Sequence, residues 1–237
     1  MEQTAIKSTF SRRPKLSFWL WRGALVGLVF WIGIDLFVPR QNNIREFDPK
    51  EVAQLETSMW RSYYDKNPVM LFWQLAGGLR EQFHAPFWRS FKLAFQATKA
   101  AFVFKQSGYS RVGTEKTLPD LVSYYGAIRM LSTEPFDVSK VAKLELEWWI
   151  VHRQREHYSY ADLANALAQT SAALYNQPAS SFIIYAQLRA DSMRICDEVR
   201  YQPGGATEAD WQRIEQKLLR AWGALHKVVR PRNAHVL

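Results

Sequence analysis

The sequence predicts an all-α protein: a single transmembrane helix near the N-terminus, then a helical bundle of two tandem, degenerate four-helix repeats with pseudo-twofold symmetry. Three observations predict it. Residues 16–38 form an apolar run whose only charges are Arg22 and Asp35. Beyond residue 49 the apolar residues recur at helical rather than alternating spacing. Finally, FDPKEVAQLETSMW at residue 47 returns as FDVSKVAKLELEWW at residue 136, with seven of fourteen positions identical.

Composition agrees with one sizeable core plus an anchor. The 237 residues are 48% apolar and include ten Trp, while Gly and Pro usage is ordinary, which disfavours disordered and fibrous classes. The net charge of +9 suits anionic partners such as phospholipid headgroups. The basic residues are spread out and no zinc-finger or RNP-like signature occurs, so nucleic acid is disfavoured. The lone cysteine, Cys196, sits in a helical stretch and reads as a buried, inert thiol.

Residues 1–15 form a basic tail. The apolar run of 16–38 covers about 35 Å as a helix, enough for a hydrocarbon core of about 30 Å. Arg22 and Asp35 flank its centre, where charged side chains are tolerated by reaching towards the interface. Aromatics gather at both ends, as interfacial belts do. No small-x-small cleavage site follows before Pro39, which argues against a cleaved signal peptide. Lys7, Arg12, Arg13 and Lys15 precede the span and Arg40, Arg45 and Lys50 follow it. That balance places the N-terminus in the cytoplasm and the helical domain on the opposite side.

Residues 39–46 read as a polar linker. The first repeat, 47–135, opens with Asp48 as N-cap, Pro49 at N1 and Glu51 at N3. Its helices are expected at 49–65, 68–84, 86–105 and 118–131, with a loop between the last two. The second repeat, 136–229, starts from Asp137 and repeats the order, its second helix again ending before a proline, Pro178. Residues 230–237 are a C-terminal tail. Two copies are too few for a solenoid, so a closed bundle is expected.

Both copies keep a glutamate inside the repeated helix. On a wheel of about 100° per residue, Glu56 falls within the apolar stripe with Val52, Met59, Tyr63 and Trp60. Glu145 shares the corresponding arc with Trp148, Trp149 and His152. A buried carboxylate must be paired, protonated or bound to a cation, which opens three readings. In the first, the acids belong to a structural network with a partner such as Arg80, Arg111 or Arg189. In the second, Glu56, Glu145, His152, Trp60, Trp149 and Tyr63 line a pocket for a small molecule or lipid headgroup.

The third reading is a metal site of Glu56, Glu81, His84, Glu145 and His152 holding iron or manganese. Its pattern resembles ferritin-like carboxylate bundles, in which single glutamates alternate with Glu-x-x-His. Here Glu81-Gln-Phe-His84 supplies one such motif, but the second half carries Thr170-Ser-Ala-Ala173 in its place. That resemblance implies a membrane-tethered oxidoreductase as the alternative to a binding or scaffold role. His157 and His226 lie near helix ends and are expected to be solvated.

No Gly-rich phosphate loop or nucleophile elbow is present. The helix at 86–105 sets Phe87, Trp88, Phe91, Phe95 and Phe102 against Arg89, Lys92, Gln96 and Lys99. Such a helix suits either a core-facing position with a solvated basic face or contact with anionic lipid. Function is therefore expected to be binding or scaffolding at a membrane surface, with an unidentified protein partner. A third class, a binder of anionic surfaces or nucleic acid, predicts steeply salt-dependent association.

Overall fold

The computed structural model describes residues 15–230; of the predicted tails at 1–15 and 230–237, all but residues 15 and 230 lie outside the described residues. Among the described residues every regular element is helical. The chain divides into two compact units, residues 1–38 and residues 39–237.

The described part of the first unit contains one helix, α1 (Lys15–Phe37). Its window Trp19–Phe37 has a mean hydropathy of 1.6, and it is the one helix among the described residues long and apolar enough to cross a membrane. Leu20, Leu25, Val26, Val29 and Phe30 are all exposed. Those positions run around the helix rather than along one stripe, so α1 is apolar over much of its circumference.

The second unit contains α2 (Pro49–Tyr64), α3 (Pro68–Phe83), α4 (Phe87–Gln106), α5 (Arg111–Glu115), α6 (Leu118–Leu131), α7 (Val138–Arg153), α8 (Tyr160–Tyr175), α9 (Ile183–Val199) and α10 (Glu208–Val229). Start and stop chemistry explains the boundaries. Asp48 and Asp137 have extended backbones and accept hydrogen bonds from the N–H groups of Lys50 (2.7 Å) and Lys140 (3.0 Å). These contacts satisfy donors that the first helical turn leaves open. Ser159 and Thr207 form reciprocal capping boxes with Asp162 and Asp210. Both α3 and α8 have 16 residues and stop at a left-handed residue, His84 and Asn176, each at φ 51°. Pro86 and Pro178 follow two residues later and cannot continue either helix.

Two local expectations change. The stretch read as a loop after α4 contains the short α5, whose first turn is held by Ser110 accepting from the Gly113 N–H at 3.1 Å. By analogy with the helix that follows Pro86, the third helix of the second copy is expected to start at Pro178; instead Ala179–Phe182 form a 3-10 turn and the helix begins at Ile183.

Each helix packs on its neighbour in order: α2 on α3, α3 on α4, α4 on α6, α6 on α7, then α7 through α10 in succession. Finally α10 packs back on α2. Short connections make consecutive helices antiparallel, and the result is a closed ring. Leu121, Ile128, Leu131, Leu163, Leu167, Ile214 and Leu218 are among the side chains sealed between helices. Each such burial stabilises by roughly 1.5–3 kcal/mol.

Residues 39–46 form a strap tied into the ring rather than a free polar linker. The Asn42 N–H donates to the Leu131 carbonyl at 2.7 Å, and the Thr133 N–H returns a bond to Asn42. Arg45 donates to the carbonyls of Tyr175 (2.7 Å) and Val229 (3.4 Å). His84 Nε2 meets the Glu46 carbonyl, and Ile44 is completely buried. The strap thus joins the C-terminal ends of α3, α6, α8 and α10, which alternation places at one end of the ring. A guanidinium at two helix C-termini also complements their dipoles.

Candidate functional site

Inside the ring lies a cavity of about 170 Å³, lined from α2, α3, α6, α7, α8, α9 and α10. Both repeated glutamates reach it. Glu56 sits on the buried face of α2, and Glu145 on the corresponding face of α7.

Glu56 is 7% exposed and fully engaged. Arg189 of α9 donates to its Oε1 from Nε at 3.1 Å and from Nη2 at 2.7 Å. Trp222 of α10 donates its indole N–H to Oε2 at 2.6 Å. Charge-assisted bonds of this kind are the strong members of their class. The Arg189 guanidinium also stands 5.6 Å from the centre of the Trp148 ring, within cation–π range. Burial alone would lower the Arg189 pKa, but Glu56, Tyr185 and Glu145 outweigh it and hold the group above its ordinary value.

Glu145 receives neutral donors. The Tyr125 hydroxyl reaches Oε2 at 2.8 Å, and the Trp149 indole reaches Oε1 at 3.0 Å from one helical turn further on. Burial, and then the Glu145 charge, push the phenols of Tyr124 and Tyr125 well above their ordinary pKa. Both therefore stay protonated near neutrality, which keeps the Tyr125 hydroxyl a donor. Two carboxylates and one guanidinium are the charged groups lining the cavity.

The structure divides the sequence-predicted residues. Glu56 and Glu145 share the cavity. Trp60 packs part-buried against the core, and Trp149 holds Glu145, while Trp148 and Trp222 supply the cavity's indoles. Tyr63 is 62% exposed and stacks edge-on against Tyr64. It stands two turns from Glu56, about 10 Å along the axis, in the last turn of α2. His152 also lies outside the cavity. Its Nε2 meets Asp197 at 3.1 Å, and Tyr160 donates to the same carboxylate at 3.0 Å. Burial opposes ionisation of Asp197, but His152, Tyr160 and Arg200 together hold its pKa below the ordinary value.

The predicted metal set does not assemble. Glu56 and Glu145 face the cavity, His84 is the exposed cap of α3, and His152 is paired with Asp197. Among the described residues no three His, Cys, Asp or Glu side chains gather at ion-binding range. The physical reason is the end of α3: Glu81 and His84 fall in its last turn and cap, and the strap draws His84 to Glu46.

Of the three arginines proposed as partners, only Arg189 serves Glu56. Arg80 binds Ser90 at 2.9 Å and lies over the rings of Phe87 and Phe91, while Arg111 pairs with Glu147 at 2.6 Å. Trp222, Tyr125 and Tyr185 were not anticipated as site residues. A signal existed for Trp222, which lies on the strongly apolar stripe of α10 with Ile214, Leu218 and Leu225. A buried indole N–H requires an acceptor, and Glu56 provides it. Comparison with protein-family models, curated proteins and solved structures finds no match for this chain.

Proposed function

We propose that this chain is a membrane-anchored binding protein whose helical ring carries a polar, aromatic-lined pocket at the membrane surface. The observation that carries the reading is the convergence of Glu56, Glu145 and Arg189 on one cavity. The exposed apolar length of α1 supports the anchor, with the N-terminus in the cytoplasm and the ring on the opposite side. The ring is further read as two copies of one four-helix unit, α2–α3–α4–α6 and α7–α8–α9–α10. Matching Asp caps, matching 16-residue helices and matching left-handed stops before a proline support that reading.

The outer face of α4 is read as a second contact with anionic lipid. Phe95 and Phe102 are 63% and 58% exposed, and Lys92 and Lys105 lie beside them. Arg89, assigned to the basic face by periodicity, is instead buried. An apolar face edged with cations suits the headgroup region of an anionic bilayer.

Two measurements test the membrane reading. The full chain should stay in the membrane pellet after alkaline extraction; release into the supernatant would remove the anchor. In phosphatidylglycerol nanodiscs, an environment-sensitive dye on Phe95→Cys should shift to the blue relative to one on Leu219→Cys. Equal responses at the two positions would remove the α4 contact.

A further inference from the structure

We infer that the ring cavity binds a small ligand carrying an ammonium group, either a free amine or the headgroup of a lipid. The inference deepens the pocket reading given above and rests on it.

The first support is charge. Two carboxylates and one guanidinium line the cavity, and the guanidinium is committed to Glu56 through two nitrogens on one oxygen. Among the described residues Glu145 has no cationic side chain within ion-pair distance; its partners are a phenol and an indole. A part-buried carboxylate facing a half-enclosed cavity has reason to attract a cation, because burial disfavours an unbalanced charge.

The second support is the wall chemistry. Tyr124, Tyr125, Tyr185 and Trp222 bring aromatic surface around the acids. Aromatic faces attract ammonium groups without requiring directional bonds, and this pairing is a known way to recognise quaternary nitrogen.

The third support is independent of the acids. The Tyr175 hydroxyl and the Trp148 indole N–H are both buried with no hydrogen-bond partner among the described residues, and both residues line the cavity. Tyr175 is 2% exposed; the Gln82 side chain approaches its hydroxyl, but not in a geometry that makes a hydrogen bond. Buried polar groups normally find partners, and two idle donors call for an oxygen acceptor. An amino alcohol offers both halves, a cation for Glu145 and an oxygen for Tyr175 or Trp148. A cavity of about 170 Å³ has room for a ligand of this size.

The test uses the full chain in phosphatidylglycerol nanodiscs, which contain no ammonium headgroup, with intrinsic Trp fluorescence as readout. Choline and ethanolamine are titrated beside 3,3-dimethyl-1-butanol, the neutral isostere of choline. A saturable change is expected with at least one amine, at a Kd of about 1 mM or tighter. The isostere should bind at least about tenfold more weakly. Glu145→Gln keeps a carbonyl acceptor for the Trp149 indole and offers an amide donor to the Tyr125 oxygen, and it should weaken the amine about tenfold or more. Tyr175→Phe removes a hydroxyl that makes no well-formed hydrogen bond among the described residues, so it should stay close to the parent in stability and weaken the amino alcohol several-fold.

Repeating the titration in discs containing phosphatidylethanolamine or phosphatidylcholine identifies the source. Loss of the free-amine response there assigns the site to lipid headgroups, and an unchanged response assigns it to free amines. Equal binding of the isostere would overturn the ammonium inference and leave the pocket standing. No saturable response to amine or isostere would overturn both.

Discussion

Glu56 and Glu145 look alike in sequence and differ in what surrounds them. Glu56 is held by a guanidinium and an indole; Glu145 by a phenol and an indole. The difference sets what each substitution does. Glu56→Ala leaves Arg189 confined without its counter-charge, and breaking such a pair typically costs about 3–5 kcal/mol. Replacing both members by Glu56→Gln with Arg189→Met should recover most of that loss. Urea unfolding of the two variants decides the point, and equal destabilisation would mean that the pair is not coupled. The inward position of both acids was legible from the helical wheel, because an acid inside an apolar arc is conspicuous. Their partners were not, because Arg189 lies 133 residues from Glu56 in the chain and resembles the surface arginines around it.

The helices themselves followed from local chemistry. Asp48, Asp137, Ser159 and Thr207 accept the first N–H groups of their helices, and Pro86 and Pro178 enforce stops. These are interactions between residues two to four apart, so spacing alone reveals them. The capping box of α10 gives a test with a pH signature. Asp210 is held below its ordinary pKa chiefly by the Thr207 side chain and backbone. A carboxylate depressed in the folded state contributes stability above its unfolded pKa and loses it as pH falls through the folded value. Thr207→Ala should therefore lower Tm by about 2–4 °C near neutral pH. The deficit should shrink below about pH 4. A deficit independent of pH would show that the box does not carry it. Missed elements have the same local logic in reverse: α5 has five residues, too short to display a helical period.

Closure of the ring is a property of the whole molecule. It depends on α10 returning to α2 and on the strap crossing one end, with Phe47 meeting Trp222 edge-on at 5.8 Å and His226 at 5.1 Å. Ile44 seals that end, and Ile44→Ala should cost about 2–5 kcal/mol, as large-to-small changes in closed cores do. Amide exchange should quicken first at the C-terminal turns of α6, α8 and α10, which the strap joins; a uniform effect would mean that the strap does not act as a separate clasp. Sequence by itself determined the helical class, most helix boundaries, the apolar span and the presence of two acids on inward arcs. Each of these is written in spacing and in contacts between near neighbours. Tertiary structure alone decided that the helices close into a ring, that residues 39–46 are a strap, and that Arg189 and Trp222 rather than histidines meet Glu56. The contacts that decide them join residues far apart in the chain, 130 positions for Arg45 with Tyr175 and 166 for Glu56 with Trp222, and only the energy of packing the complete ring selects them over other pairings of similar chemistry.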